Sequence, residues 1–135
     1  MTARRVFCDT GILIRYFADD DPPRALAAAR LIDGGDTIVI STAVLIEVVH
    51  VLRTQHGRAN PEIADALIAF LTKRRVELVD ADEAEAVAAL RWSARISARR
   101  IPDALISAAA QHARCDLIAT FDEHMSAVDV PVRMF

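Results

Sequence analysis

Lysine is nearly absent: Lys73 is the only one among 16 basic residues. Positive charge is therefore carried by arginine. Compositional bias of the source genome is the plainest cause, and phosphate recognition by forked guanidinium groups is the functional one. Acids still outnumber bases, giving a net charge of −3, so the chain has no global basic footprint for nucleic acid. Cysteine is scarce too. Cys8 and Cys115 flank predicted strands and read as buried thiols of a reducing cytoplasm, which excludes a disulfide framework or a cysteine zinc site. The four glycines fit neither the Walker nor the dinucleotide pattern, and there is no Gly-x-Ser-x-Gly elbow. The four histidines lack metal-site spacing: Glu47 and His50 stand alone, His50 reads as a helix-surface residue, and His124 reads as a loop residue. Apolar runs are too short for a membrane span. Residues 1–20 run basic, apolar, then acidic, without the pattern of a secretory signal, so a cytoplasmic protein is expected.

What the chain does have is length and apolar mass for a real core. With 135 residues and 53% hydrophobic content it reads as one domain, residues 1–135. Short β-rich runs alternate with helical stretches. Strands are expected at 5–9, 37–40, 76–79 and 117–120, with a last edge strand at 130–134. Helices are expected at 10–17, 24–32, after Ser41 or Thr42 to Gly57, from Asn60-Pro61, at 82–97 and at 102–113. Asp19, Asp20 and Asp21 read as a solvated loop. Strands alternating with helices predict an α/β fold, three layers α/β/α, around a central, mostly parallel sheet of four to five strands.

Four carboxylates stand out against this pattern: Asp9, Glu47, Asp103 and Asp122. Asp9 ends the first predicted strand, and Asp122 follows the fourth by two residues. In parallel α/β sheets, sites gather beyond the carboxyl ends of the strands. Glu47 interrupts the apolar pattern Val44-Leu45-Ile46 and Val48-Val49, so its side chain is expected to lean toward the apolar face. Asp103 lies one residue after Pro102, in the first turn of a helix whose dipole favours its charge. Each acid alone has a bland explanation: a helix cap, a first-turn acid, a turn residue. Together they are expected to converge at one edge of the sheet, largely buried. No lysine or arginine within these motifs explains them, and a divalent metal would offset the cost of burial. Asp116 enters the fourth strand from the opposite end and reads as a structural turn acid.

Phe7-Cys8-Asp9-Thr10, Thr42-x-x-x-x-Glu47, Pro102-Asp103-Ala104-Leu105-Ile106-Ser107-Ala108-Ala109 and Ala119-Thr120-Phe121-Asp122 resemble the four motifs of the PIN domain. More narrowly, the whole chain resembles a VapC-type toxin of a bacterial toxin–antitoxin pair. The resemblance implies metal-binding and catalytic roles for Asp9, Glu47, Asp103 and Asp122, with Thr10 and Thr120 supporting them. It implies ribonuclease activity on RNA, a small antitoxin protein that blocks the site, and a homodimer. Ser107 stands where alanine is usual, and Met125 where an aromatic often follows the last acid.

An all-oxygen carboxylate set suits Mg²⁺ or Mn²⁺ rather than zinc. The expected chemistry is phosphodiester hydrolysis, with Arg15, Arg99 and Arg100 as candidates for steadying phosphates. An apolar groove for the antitoxin is expected from Ile14, Phe17, Leu26 and Leu31. Two rival functions remain from the sequence. One is a non-catalytic RNA- or protein-binding scaffold. The other is an Asp-nucleophile phosphotransfer domain, against which Gly11 takes the place where a second acid is usual.

Overall fold

The computed structural model describes residues 3–18, 20–96, 99–120 and 122–134. Asp19 of the acidic loop and Phe121 of the last motif lie outside the described residues. Strands β1 (Arg5–Phe7), β2 (Thr37–Ile40) and β3 (Val76–Leu78) form a parallel sheet in the order β1-β2-β3. Helix α1 (Thr10–Ala18) and α2 (Pro22–Ile32) connect β1 to β2, and α3 (Thr42–Thr54) and α4 (Asn60–Leu71) connect β2 to β3. Then follow α5 (Glu83–Arg95), α6 (Ile101–His112), β4 (Ile118–Thr120) and β5 (Val132–Met134). The α/β class and the parallel strands agree with the sequence expectation. The hydrogen bonding differs in one respect: β4 and β5 pair with each other as a separate parallel ribbon, and among the described residues β4 is not bonded to β1.

Burial follows the middle strand. After Thr37, β2 is apolar and buried at Ile38, Val39 and Ile40, as a strand covered on both faces must be. β4 and β5 are short and largely solvent-facing. β1 is as short and as exposed, but it bonds along the buried β2 and so belongs to the sheet. The core lies under the helices. On α3, Leu45, Val48, Val49 and Leu52 form one buried stripe, and on α6 Ile101, Ala104, Leu105 and Ala108 form another. Each such leucine or isoleucine contributes roughly 1.5–3 kcal/mol by leaving water. Among the described residues no helix is long and apolar enough to cross a membrane. Cys8 is buried as expected, which pushes its thiol pKa up, whereas Cys115 is exposed.

Helix ends set the positions that matter. Ser41 caps α3 by accepting the Val44 N–H, and Asp82 caps α5 by accepting that of Glu85. Asn60 is the first residue of α4 rather than its cap; Ala59 stands at the cap position and no side chain caps this end. Gly57 adopts φ +61° after α3, a conformation glycine takes without steric cost. After α6, Arg114 takes φ +58°, and the Cys115 N–H closes on the Ala110 carbonyl at 3.0 Å. A β-carbon costs about 1 kcal/mol in that left-handed region. Arg114→Gly is therefore expected to raise the melting temperature by a few degrees, read by circular dichroism. An unchanged or lower melting point would show that Arg114 contributes compensating interactions.

Candidate active site

Asp9 directly precedes α1. Its carboxylate accepts the Thr10 N–H at 2.7 Å, and its carbonyl accepts that of Ile12 at 3.1 Å. Asp9 therefore starts the helix. The buried Thr10 turns its hydroxyl to donate to Glu47 Oε2 at 2.8 Å. Glu47 itself is exposed, contrary to the expectation of a largely buried acid. The reason is rotational: the buried stripe of α3 runs through residues 45, 48, 49 and 52, so Val44 and Val51 lie on its margin and Glu47 turns to the far side. Asp80 fixes the start of the same helix. It accepts from the Thr42 N–H at 2.9 Å and the Thr42 hydroxyl at 2.8 Å.

Asp103 and Asp122 form a second group. Asp103 is 5% exposed, the one acid of the four that the fold buries. Its Oδ2 accepts from Arg100 Nε at 3.2 Å. Asp122 is exposed, and its Oδ2 accepts from Arg100 Nη2 at 2.6 Å. Thr120 Oγ1 accepts the Asp122 N–H at 3.0 Å, and Asp122 Oδ1 accepts the His124 N–H at 2.8 Å. Thr120 thus orients the backbone at Asp122. Ser107 is fully buried and does more than an alanine would: its hydroxyl donates to the Asp103 carbonyl at 3.0 Å and accepts the Val128 N–H at 3.2 Å. It ties α6 to the segment between β4 and β5.

One sequence expectation is corrected here. A basic side chain just outside the motifs does account for two of the acids, since Arg100 bridges both. The Arg100 hydrogen bond, helped by the His124 N–H, holds the Asp122 carboxyl below its usual range. Arg100 is only three residues from Asp103, and its fork could have been read as a partner from that spacing. The other two arginines are engaged elsewhere. Arg15 pairs with Asp20 at 3.1 Å, and the Arg99 guanidinium stacks 4.5 Å over the Trp92 ring.

Asp122 also carries a pH prediction. A folded-state pKa below the unfolded value adds stability above the unfolded pKa, about 3.9, and loses it as pH falls through the folded value. In Arg100→Ala the Asp122 carboxyl should titrate closer to its ordinary range, followed by carbon-13 NMR of that group, and this acid-side loss should shrink. An unshifted titration would show that Arg100 does not hold the charge.

The fit to a divalent ion is set by donor chemistry. The donors are all oxygen, as Mg²⁺ and Mn²⁺ require. Arg100 Nη2 lies within 3.2 Å of an oxygen from each of Asp103 and Asp122, so two carboxylates already address one cationic point. Among the described residues, no group of three or more aspartate, glutamate, histidine or cysteine side chains stands close enough to hold an ion. The arrangement is two pairs, Asp9 with Thr10 and Glu47, and Asp103 with Asp122. A concavity of about 600 Å³ opens beside Asp9, lined by Ile12, Arg15, Arg24, Ala27, Ala28 and Leu31. Of the four groove residues expected, only Leu31 lines it. Ile14 is buried, Phe17 packs on Phe70, and Leu26 is exposed outside it.

The family model for the PIN domain matches residues 6–131. No curated protein matches the chain. PIN domains are generally nucleases that commonly use divalent metal ions such as Mg²⁺.

Proposed function

From a chain that belongs to the PIN domain family, we propose a Mg²⁺- or Mn²⁺-dependent endoribonuclease of the VapC type, the toxin of a type II toxin–antitoxin pair. The carrying observation is the pair Asp103 and Asp122 turned toward one cationic point at Arg100. In this reading Asp9, Asp103 and Asp122 hold the ion and Glu47 holds one of its waters or takes a proton. The ion, when bound, would activate water and neutralise charge on the phosphodiester. Thr10 keeps Glu47 Oε2 in place, and Thr120 fixes the turn that presents Asp122. Arg100 must give up its carboxylates for an ion to enter, and its freed guanidinium can then meet a phosphate oxygen.

A specific observation favours a second reading. Arg100 already neutralises both acids, as it would in a non-catalytic RNA- or protein-binding scaffold. Melting curves with and without millimolar Mn²⁺ at neutral pH separate the two. The nuclease reading expects a rise of several degrees, reduced in Glu47→Gln with the fold intact. No shift with either metal would favour the scaffold. The phosphotransfer rival is weaker still, because Lys73, the only lysine, is paired with Asp33 at 2.9 Å.

The small antitoxin belongs to the same proposal. The concavity between α1 and α2 is lined by apolar Ile12, Ala27, Ala28 and Leu31 together with Arg15, Arg24 and Asp9. An amphipathic antitoxin segment laid there would cover the approach to Asp9. Co-expression with the neighbouring reading frame should give a complex that survives purification, and Ala27→Trp, at an exposed position of the lining, should prevent it by filling the groove. Recovery of free protein alone would count against the toxin role. A cytoplasmic homodimer completes the proposal. Exposed Phe7, Val132 and Met134 give β1 and β5 apolar surface that a second copy would cover.

A further inference from the structure

A second concavity, of about 550 Å³, lies apart from the groove beside Asp9. Three arginines from three separate segments line it: Arg53 in the last turn of α3, Arg58 in the following loop, and Arg95 at the end of α5. No acid is among its lining residues. That is unusual in a chain with more carboxylates than cations. Several arginines elsewhere meet acids: Arg4 pairs with Asp36, Arg5 with Glu77 and Arg100 with two aspartates, whereas Arg99 stacks on Trp92 and Arg75 donates to the Gly35 carbonyl. Among the described residues Arg53 and Arg95 have no carboxylate partner. Arg58 donates only a long bond, 3.4 Å, to the Ala18 carbonyl. The uncapped start of α4 puts Asn60 and Pro61 in the wall; its partial positive charge is offset in part by Glu62 in the same turn, so the arginines carry the positive charge of the hollow.

We infer that this arginine-lined concavity binds phosphate groups of the RNA backbone, as a positioning site beside the acids rather than a part of them. Like charges gathered in one hollow repel unless water or an anion screens them, and planar guanidinium forks match phosphate oxygens. One bond links the hollow to the segment before the acids: Ser93, in the concavity wall, donates its hydroxyl to the Arg99 carbonyl at 2.7 Å, and Arg99 immediately precedes Arg100. In this proposal the RNA strand spans Asp103, Asp122 and the arginines. RNA as the source of the phosphate rests on the nuclease reading; the anion-binding chemistry does not.

The test is fluorescence anisotropy of a labelled single-stranded RNA in EDTA, so that binding is read without cleavage. The Arg53→Ala/Arg95→Ala double variant should bind at least roughly tenfold more weakly at low salt. Its slope of log affinity against log salt should fall by about 1.4, about 0.7 for each lost phosphate contact. The double lysine variant keeps the charge, so it should retain the slope while losing part of the affinity. Melting curves confirm that the variants fold. Unchanged affinity and slope in the double alanine variant would overturn the inference, and metal-dependent cleavage of RNA by the parent protein would then leave the nuclease reading standing. Arginine-dependent binding without any cleavage would sink the nuclease reading and leave this site. If inorganic phosphate raises the melting point of the parent but not of the variant, while RNA affinity is equal in both, the hollow takes a free anion and the RNA assignment falls.

Discussion

Asp122→Asn is expected to lower metal-dependent RNA cleavage by roughly a hundredfold or more. Asp116→Asn should keep most of the activity. The two acids bracket β4: Asp122 follows its carboxyl end, and Asp116 precedes its start. Asp122 shares the Arg100 fork with Asp103, whereas Asp116 is an exposed residue in the turn after α6. Asparagine keeps the size of Asp122 and can still accept the His124 N–H, so the turn should survive. Stability should change little, because an exposed ion pair is worth little in water. Four acids without metal would gain from such a neutralisation if they repelled one another, but Asp122 sits in an attractive pair, so no stabilisation is expected. Purified variants assayed on total bacterial RNA with Mn²⁺ read the difference. Full activity in Asp122→Asn beside a dead but folded Asp116→Asn would overturn the placement of the site.

Phe70→Ala should cost about 3–5 kcal/mol, a large share of the stability of an ordinary domain. Phe70 is 1% exposed on α4, and its ring meets Phe17 edge-on at 5.7 Å and Tyr16 at 6.3 Å. Tyr16 and Phe17 also touch each other edge-on at 5.5 Å, so the three rings clamp α1 against α4. Aromatic content is only 5%, and much of it is spent at this junction. The consequence reaches the site, because α1 carries Thr10, which holds Glu47, and forms one wall of the groove beside Asp9. Truncation should loosen α1 before it unfolds the sheet. Phe70→Leu fills most of the space and should cost less than about 1.5 kcal/mol. Urea denaturation of both variants gives the numbers. A loss near 1 kcal/mol for the alanine variant would mean that α1 is held mainly by α2 and α3.

The acids show where local sequence stops. Asp103 was legible as an inward first-turn acid because proline fixes the helix start and the apolar spacing fixes its face. The backbone roles of Asp9 and Thr120 follow from their places at strand ends, where the chain turns and its N–H groups need acceptors. Glu47 was misjudged because an apolar run on both sides does not locate the centre of a helix face. A rotation of one residue moves a side chain from the core to its margin, and only the packing of α3 on α6 and α1 decides which.

By itself the sequence determined the alternation of strands and helices and singled out the four acids as candidates, since these readings depend on periodicity, proline and residue type within a few positions. Only the tertiary structure decided the separate β4–β5 ribbon, the Arg100 bridge between Asp103 and Asp122, the hydroxyl of Thr10 on Glu47 across 37 positions, and the meeting of Arg53, Arg58 and Arg95. Hydrogen bonds and charge pairs act over about 3 Å, and distance along the chain does not say which distant groups will meet at that range.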